Sequence, residues 1–298
     1  MKLPVSCFLI TRNEADRVSR SIRAVHDLVD EIIVVDSGST DRTVAIAESA
    51  GAKILHHDFT THARQWRWAL DHTTPRYDWI LGLDADQRVT PELRAEIAAW
   101  FNSQSQMRRA KYKIDRCHGF YLKRRQIFRG KWIRHGGYYP KYLLKLFHRE
   151  CVTIDIDELI DHHFYVTGPV AKLHNDIVEE NAKENDISFW IAKHNHYATL
   201  LAREELRQRQ RARPLAIPAT PFGSPDQRIL WIKQLWSKLP LYVRPLVYFF
   251  YRYFVRLGFL DGKQGFIFHF LHGFWFRLVI DIKIDEMLHA ALPDRELS

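Results

Sequence analysis

The chain is poor in cysteine and has no long uninterrupted apolar run. Its three cysteines, Cys7, Cys117 and Cys151, are widely spaced and form neither a disulfide framework nor a zinc-ligand pattern. A reducing compartment is therefore expected. No apolar stretch reaches the ~18–20 residues that a membrane-spanning helix needs. Residues 1–10 are too short for a signal peptide and lead straight into a polar turn, so we expect the protein to start and stay on the cytoplasmic side.

Acidic residues are fewer than basic ones: the chain has 35 aspartates and glutamates against 44 lysines and arginines, which gives a formal net charge of +9. This balance favours anionic partners, such as nucleic acid, acidic lipid surfaces or phosphorylated substrates. The motifs G-x-G-x-x-G and G-x-x-x-x-G-K-[ST] are absent, which argues against a dinucleotide-binding fold or a P-loop ATPase. The histidine pairs match no known zinc spacing, so no zinc site is expected.

The first hundred residues alternate between strand and helix patterns. Continuous apolar, β-branched runs are typical of strands buried on both faces of a sheet. Strands are predicted at residues 5–10, 31–36, 53–55 and 79–83, and helices at 16–28, 41–50, 62–70 and from Thr90 onward. This alternating order predicts an α/β fold with a mostly parallel sheet flanked by helices.

The rest of the chain changes character in steps. Residues 111–149 are basic and aromatic with two strand-like runs, 178–210 have a long charged helical pattern, 213–226 contain four prolines, and 228–284 are dense in aromatics and arginines. Proline-rich stretches are typical of linkers. We therefore predict a catalytic domain at 1–210, divided near residue 105 into nucleotide and acceptor halves, a linker at 211–227 and a helical C-terminal region at 228–298.

Polar side chains follow the predicted parallel strands at the points where those strands end. At the strand ends these are Thr11, Asn13, Glu14, Asp36, Asp84 and Asp86, and Arg64 lies on the predicted helix before the fourth strand. Ligands of open α/β sheets bind outside the carboxyl ends of the strands. There Asp36 is expected to accept a hydrogen bond from a base or ribose, and the Arg64 guanidinium to match diphosphate oxygens. Asp84 and Asp86 offer the oxygen ligands that Mg²⁺ or Mn²⁺ prefers. The alternative interpretation of each residue taken singly is a helix cap or a surface charge, but the joint pattern favours a shared ligand site.

The spacing of these motifs resembles that of the family 2 glycosyltransferases, whose nucleotide-binding half has the GT-A fold. Residues 11–14 read Thr-Arg-Asn-Glu, 36–43 read Asp-Ser-Gly-Ser-Thr-Asp-Arg-Thr, 63–65 read Ala-Arg-Gln and 84–86 read Asp-Ala-Asp. The resemblance implies that Asp36 contacts the nucleobase and that Asp84 and Asp86 hold the diphosphate through Mg²⁺ or Mn²⁺. It also implies a nucleotide-sugar donor, commonly a UDP-sugar.

Transfer with inversion needs a carboxylate on the face of the sugar opposite the leaving group, to take the proton of the acceptor hydroxyl. Residues 155–161 contain four candidates: Asp155, Asp157, Glu158 and Asp161. The stretch Ile-Asp-Glu-Leu at 156–159 is similar to the V-H-E-x-L segment of the lipopolysaccharide-core type of this family. The similarity implies that Glu158 is the general base, with Asp157 in reserve.

Residues 130–140 form a loop rich in glycine, aromatic and cationic residues. Hinge glycines and stacking aromatics suit a lid that orders over a bound donor. An ordinary surface hairpin loop explains the same composition, and both readings stay open.

The C-terminal region interleaves aromatics with cations. Its two most apolar stretches, 245–255 and 266–280, contain Arg252 and Arg277 and are too short to span a bilayer easily. They fit interfacial helices on an anionic membrane, and the rival interpretation is a helical subdomain packed on the enzyme. The region is similar to the tail of bacterial envelope-polysaccharide glycosyltransferases, which implies a lipid-linked or lipopolysaccharide-type saccharide acceptor.

The sequence thus predicts an inverting, metal-dependent hexosyltransferase that lies peripherally on the inner face of a bacterial membrane. A basic nucleic-acid-binding protein is one alternative, but the cations lie among aromatics in apolar stretches and no nucleic-acid motif occurs. A non-catalytic membrane adaptor with a degenerate transferase fold is the other. No feature of the sequence indicates an oligomeric state.

Overall fold

The computed structural model describes residues 2–107, 118–157, 159–160, 162–210 and 217–290, with side chains for all of these except 104–107 and 208–210. The strands are β1 Leu3–Thr11, β2 Val29–Asp36, β3 Lys53–His56, β4 Trp79–Asp84, β5 Gln87–Val89, β6 Gly119–Phe128, β7 Lys131–Ile133, β8 Lys141–His148, β9 Val152–Ile154, β10 Phe164–Val166 and β11 Val170–Glu180. The α-helices are α1 Ala15–Val25, α2 Thr43–Ser49, α3 His62–His72, α4 Pro91–Met107, α5 Ile187–Gln210, α6 Pro225–Trp236, α7 Val243–Phe250, α8 Gly262–His269 and α9 Phe276–Ala290.

The chain forms two compact units. The first comprises residues 1–126 and 140–180, and the second comprises 127–139 and 181–298. Residues 181–210, predicted to belong to the N-terminal domain, lie in the second unit, where the helix α5 packs against α9. Residues 178–180, predicted to begin a helix, are instead the end of the strand β11. Of the predicted linker, residues 211–216 lie outside the described part of the chain, and Ser224 caps α6.

The first unit is built on a sheet with the strand order β3-β2-β1-β4-β8-β6-β11-β5. The strands β3, β2, β1 and β4 are parallel neighbours joined by helices, which confirms the predicted α/β class with a parallel sheet. The strand β8 is antiparallel to both β4 and β6, and β11 is antiparallel to β5. The strands β9 and β10 form a separate antiparallel pair.

Alternate residues of the central strands pack on opposite faces of the sheet. In β1, Cys7 and Leu9 join the cluster that includes Val18 and Ile22 of α1 and residues of α4. Phe8 and Ile10 join the other cluster, which includes Trp66 of α3. Both faces are therefore covered by helices, and this explains why the strands read as continuous apolar runs rather than as alternating patterns.

The second unit is helical. Residues 258–290 form one helical run, in which a 3₁₀ turn at Gly258–Asp261 precedes α8 and a π-helical segment at Phe270–Trp275 joins α8 to α9. The sequence pattern had predicted shorter, interrupted apolar segments here. By length and composition the run Gly258–Ala290 qualifies as a membrane-spanning helix, a test that a buried helix of a soluble protein also passes. Trp190 of α5 and Ile280 and Ile284 of α9 lie in the core of this unit.

A buried ion pair anchors α7 in the second unit. The Arg244 side chain is 1% exposed and bonds to Asp281 through Nε at 2.7 Å and to both oxygens of Glu205 at 2.8 and 3.1 Å. Asp281 is also 1% exposed, and its other oxygen accepts a bond from the Tyr242 amide at 2.8 Å. Removing the guanidinium would leave a buried carboxylate with a single amide donor.

We expect Arg244→Met to lower the free energy of unfolding of the second unit by about 3–5 kcal/mol, the usual cost of stranding a buried charge. Urea unfolding followed by tryptophan fluorescence measures the change. Arg203→Met, on the exposed surface of α5, is the matched control and should cost less than about 0.5 kcal/mol. Equal losses in the two variants would contradict the assignment.

His269 is buried in the second unit, and neither of its ring nitrogens has a hydrogen-bond partner among the described residues. A Cβ on Gly136 would lie 2.0 Å from its ring, so the glycine makes room for it. Burial, with the charge of Arg252 and a smaller effect of His135, lowers the pKa of His269 to about 4, although Asp261 opposes the shift. The imidazole is therefore neutral in the folded protein at neutral pH.

This lowered pKa makes stability depend on pH. The unfolded chain binds a proton at His269 near pH 6.5, whereas the folded chain resists until about pH 4, so stability falls as the pH drops through this window. We expect a loss of up to about 3 kcal/mol. The slope of unfolding free energy against pH should be smaller in His269→Leu than in the unsubstituted protein. Identical slopes in this window would contradict the lowered pKa.

Candidate active site

The register of the parallel strands brings three of the predicted site residues to one edge of the sheet. Thr11 at the end of β1 is paired with Asp36 at the end of β2, and Ile10 is paired with Asp84 at the end of β4. Adjacent strands lie about 4.8 Å apart, so the Asp36 and Asp84 backbones are about 10 Å apart, on either side of β1. The carboxyl ends of β2, β1 and β4 therefore form a continuous polar edge.

Asp36 is 1% exposed and is held by its own turn. Its oxygens accept bonds from the Thr11 hydroxyl at 3.2 Å, the Ser39 amide at 2.8 Å and the Ser39 hydroxyl at 2.5 Å. His56 Nδ1 lies 3.8 Å from its second oxygen. Thr11 and Asp36 thus fix the loop after β2, and the predicted nucleobase contact of Asp36 stays a prediction.

Asn13 and Glu14 join the loops that follow β1 and β2. Asn13 has a φ of 54°, a left-handed conformation that asparagine tolerates better than most residues. Its side-chain oxygen accepts a bond from the Thr40 amide at 2.8 Å. The Glu14 amide donates to the Thr43 hydroxyl at 2.7 Å, and its carboxylate pairs with Arg17. Both residues therefore form hydrogen bonds that hold the two loops together at the edge of the sheet where the nucleotide is predicted to bind.

The start of α3 is fixed by Gln65, a residue the sequence analysis used only as part of a motif. Gln65 is fully buried, and its amide nitrogen donates to the Ser37 hydroxyl at 2.9 Å and to the His57 carbonyl at 3.2 Å. These two hydrogen bonds fix the start of α3 to Ser37, which follows β2, and to His57, which follows β3. Arg64, the next residue toward the helix start, is exposed, and it has no ion pair to any other described residue. Its role toward a diphosphate stays a prediction.

Asp84 lies beside a lysine and a histidine. Lys145 Nζ donates to one Asp84 oxygen at 2.9 Å, and His162 Nε2 lies 3.8 Å from the other. Burial acts to raise the pKa of Asp84, but Lys145 and then His162 outweigh it and hold the pKa well below its usual value. The Asp84 side chain keeps 30% of its surface exposed, whereas that of Lys145 keeps 4%.

Lys145 lies against aromatic rings as well as beside the carboxylate. Its ammonium is 6.0 Å from the Trp66 ring centroid and 5.8 Å from that of Phe164, with His162 Nε2 at 3.5 Å. A buried lysine is costly unless it is paired, and Asp84 supplies that partner. Lys145 was not predicted from the sequence as a site residue, and His162 was considered only as one of a histidine pair that matches no zinc spacing. The signal was a lysine in the middle of the apolar strand pattern of β8, where an aliphatic residue is expected.

Asp86 lies in the tight turn between β4 and β5 and is half-buried. Its carbonyl accepts a bond from the Glu180 amide at 3.1 Å. The neighbouring Gln87 accepts from the Asp84 amide at 3.2 Å and donates to Glu179 at 2.8 Å. The turn that carries the two aspartates is thus tied to the end of β11.

The predicted general base, Glu158, lies outside the described residues, as does Asp161. Asp157 lies in the loop between β9 and β10, where its amide donates to Asp155 at 3.1 Å. The same loop carries His162, which reaches Asp84. The roles of Glu158 and Asp157 stay predictions.

Asp84 and Asp86 can hold a cation only if phosphate oxygens of a bound ligand supply the other coordination positions. Among the described residues, no group of three or more histidine, cysteine, aspartate or glutamate side chains is arranged to hold a metal ion. Mg²⁺ is commonly bound by one or two carboxylates together with substrate phosphates. Asp84 and Asp86 would supply those one or two carboxylates, although Lys145 already donates a hydrogen bond to one Asp84 oxygen.

The predicted lid loop at 130–140 is anchored. It contains the strand β7, and the Trp132 and Tyr139 rings are in contact at 4.9 Å. Asp261 accepts bonds from the Arg134 and His135 amides at 3.1 and 2.9 Å. Residues 127–139 belong to the second unit, whereas the aspartates at the strand ends belong to the first.

The sheet edge and its motifs identify a class of protein domain. Residues 6–147 match the sequence model of the family described as Glycosyl transferase family 2, so this part of the chain is a family 2 glycosyltransferase domain. The recognition of this family from motif spacing is confirmed.

Sequence relatives carry the same description. A Rickettsia bellii protein named uncharacterized glycosyltransferase is 46% identical over 110 residues, which is 37% of each chain. The lipopolysaccharide core biosynthesis glycosyltransferase LpsC of Rhizobium meliloti is 26% identical over 242 residues, 74% of this chain and 78% of the relative. The chain thus spans well under half the length of the Rickettsia protein that it matches.

Two solved structures are also similar. Mannosyl-3-phosphoglycerate synthase from Rubrobacter xylanophilus is 19% identical, with a TM-score of 0.43 over 74% of this chain and 80% of that one. Glucosyl-3-phosphoglycerate synthase from Mycobacterium tuberculosis, in complex with Mn²⁺, uridine diphosphate and glucosyl-3-phosphoglycerate, is 17% identical. Its TM-score is 0.40, over 67% of this chain and 80% of that one.

Proposed function

We propose that the protein is an inverting, metal-dependent glycosyltransferase that moves a hexose from a nucleotide-diphosphate sugar to a saccharide acceptor. The observation that carries this proposal is the polar edge where Asp36 ends β2 and Asp84 ends β4, with β1 between them. The nucleoside would lie toward the loop fixed by Asp36, and the diphosphate toward Asp84 and Asp86. A UDP-sugar is the expected donor.

The chemistry at the diphosphate is the stabilisation of a leaving group. Asp84 and Asp86 would hold Mg²⁺ or Mn²⁺, which supplies Lewis-acid neutralisation when bound. Lys145 provides one fixed positive charge from the protein itself, 2.9 Å from Asp84. Because this ammonium is buried, its attraction for a phosphate is less screened than that of a surface lysine. We assign Lys145 to the charge balance of the departing nucleoside diphosphate.

The transfer itself exchanges one bond for another at the anomeric carbon. The acceptor oxygen forms a bond to that carbon while the bond to the diphosphate oxygen breaks, and the acceptor proton passes to a carboxylate. Glu158 is the proposed base, with Asp157 as the reserve. Attack from the face opposite the leaving group inverts the configuration.

The acceptor is proposed to be a lipid-linked or lipopolysaccharide-type saccharide at the inner membrane face. The relative LpsC, which is aligned over most of both chains, carries lipopolysaccharide core biosynthesis in its name. The excess of positive charge agrees with an acidic acceptor or membrane surface.

A thermal-shift panel of UDP-, GDP- and dTDP-sugars, each with and without Mn²⁺, tests the donor site. A ligand that binds only the folded protein raises its melting temperature. We expect one nucleotide class to raise it, with a larger shift when Mn²⁺ is present, and Asp86→Asn to lose that increment. Asp27→Asn, an exposed carboxylate just before β2 and so at the opposite edge of the sheet, is the matched control. Salt-sensitive retention on DNA with no nucleotide shift would favour a nucleic-acid-binding protein instead.

A further inference from the structure

The second unit exposes a continuous surface of large apolar side chains between residues 246 and 270. Its most exposed members include Leu246, Phe250, Phe254, Leu257, Leu260 and Phe266, each between 46% and 59% exposed. Such patches are rare on soluble monomers and mark sites of interaction. We refer to these six residues and the backbone between them as the apolar surface.

Ring contacts connect the three phenylalanines of the apolar surface. The Phe250 and Phe254 rings lie 5.1 Å apart, and Phe254 is in turn 5.1 Å from Tyr253. Tyr253 contacts Phe266 of α8 at 5.7 Å and Phe259 at 6.2 Å. The end of α7, the π-helical segment Tyr251–Val255 that follows it, the 3₁₀ turn and the start of α8 therefore present their side chains together.

Leu257, between these elements, is held in a conformation that favours glycine. Its φ is 59°, and its side chain is 46% exposed. The left-handed conformation raises the free energy of a leucine by about 1–2 kcal/mol, and an exposed side chain gains little packing energy to offset this. Backbone strain of this kind is typical of functional positions.

Within residues 228–270, which contain the apolar surface, the exposed charges are of one sign. Between residues 228 and 270 five cationic side chains are exposed: Arg228, Lys233, Lys238, Arg256 and Lys263. The single acidic residue of this stretch, Asp261, is 2% exposed and faces His135. A second copy of the chain on this surface would oppose cation to cation, whereas anionic lipid headgroups would complement them.

We propose that the apolar surface inserts in the plane of an anionic phospholipid bilayer, with the five cations at headgroup level. The helical run that begins at Gly258 lies on the membrane rather than crossing it, because Ile280 and Ile284 of the same run pack in the core of the unit. This inference deepens the membrane location in the proposed function by naming the surface responsible. It makes Leu257 a membrane-contacting residue.

Co-sedimentation with phospholipid vesicles tests the proposal without donor or acceptor, so its failure is distinct from failure of the transferase assignment. We expect the full chain to bind vesicles of mixed phosphatidylglycerol and phosphatidylcholine and to bind pure phosphatidylcholine weakly. Leu257→Gly and Phe250→Ser should each weaken binding about tenfold. Leu257→Gly should not lower the melting temperature, because glycine adopts a φ of 59° without strain. Phe59→Ser, an exposed aromatic of the first unit, is the matched control and should bind normally.

Charge reversal gives the second arm. Lys263→Glu should weaken binding to the anionic vesicles about tenfold, whereas Arg20→Glu, an exposed cation of α1, should not. Full binding by both Leu257→Gly and Phe250→Ser would overturn the proposal. So would binding that resists both high salt and alkaline carbonate, because it indicates a spanning helix. Self-association that Phe250→Ser abolishes, with no vesicle binding, would replace the lipid by a second copy.

Discussion

Asp84→Asn is expected to destabilise the first unit by about 3 kcal/mol and to abolish hexose transfer. The substitution removes the charge that compensates Lys145, whose side chain is only 4% exposed, and a stranded buried charge is strongly destabilising. Lys145→Met should cost only about 1 kcal/mol, since the Asp84 carboxylate keeps 30% of its surface exposed and can be hydrated. Urea unfolding of each variant measures both effects.

The double variant completes the comparison. Asp84→Asn combined with Lys145→Met leaves no buried charge in this pair, so it should be more stable than Asp84→Asn alone. If Asp84→Asn were no more costly than Lys145→Met, the ion pair would not be what neutralises the buried ammonium. Transfer should be lost in both single variants and in the double variant, because the recovered stability restores neither charge.

Asp86→Asn is expected to lower the rate of hexose transfer about a thousandfold while changing the free energy of unfolding by less than about 1 kcal/mol. The loss corresponds to the several kcal/mol that a correctly held cation contributes to the stabilisation of a leaving diphosphate. The turn itself should survive, because its carbonyl bond to the Glu180 amide and the bonds of Gln87 do not use the Asp86 carboxylate. A radiolabelled-sugar transfer assay measures the rate.

Asp27→Asn serves as the control for this rate. Its carboxylate side chain is 71% exposed and precedes β2, at the amino ends of the parallel strands. It should transfer sugar at the rate of the unsubstituted protein. A comparable loss of rate in the two variants would remove Asp86 from the donor site, and an unaltered rate in Asp86→Asn would do the same.

The parallel half of the fold was predictable because its signals are local. The apolar runs that end at Asp36 and Asp84, and the Thr-Pro-Glu start of α4, each fall within a few residues of sequence. The strand order of the antiparallel half could not be predicted from the sequence, because β8 pairs with both β4 and β6 and these segments lie far apart in the chain. Periodicity alone does not fix such long-range pairing.

The aspartates of the candidate site were predicted from the sequence, but the lysine that pairs with Asp84 was not. The aspartates were found because strand ends mark ligand sites in α/β sheets. Lys145 was missed because its partner, Asp84, is 61 residues away and no local pattern links them. The hydroxyls that hold Asp36 in its turn are local, but the sequence does not reveal whether a carboxylate bonds its own loop or a ligand.

The anchoring of residues 130–140 illustrates the same limit. Glycines and aromatics predicted either a lid or a surface loop, and the side chain that fixes the loop, Asp261, lies 126 residues further along the chain. The C-terminal run Gly258–Ala290 was read as a short segment because Arg277 interrupts its apolar pattern. The structure instead joins α8 and α9 through the π-helical segment Phe270–Trp275.

The most direct test of the central claim is the anomalous scattering of Mn²⁺ in crystals grown with Mn²⁺ and the nucleoside diphosphate that gives the largest thermal shift. We expect one peak within coordination distance of the Asp86 carboxylate, with the diphosphate beside it at the carboxyl ends of β1 and β4. A nucleotide bound elsewhere, or a manganese peak that Asp86 does not touch, would contradict the account.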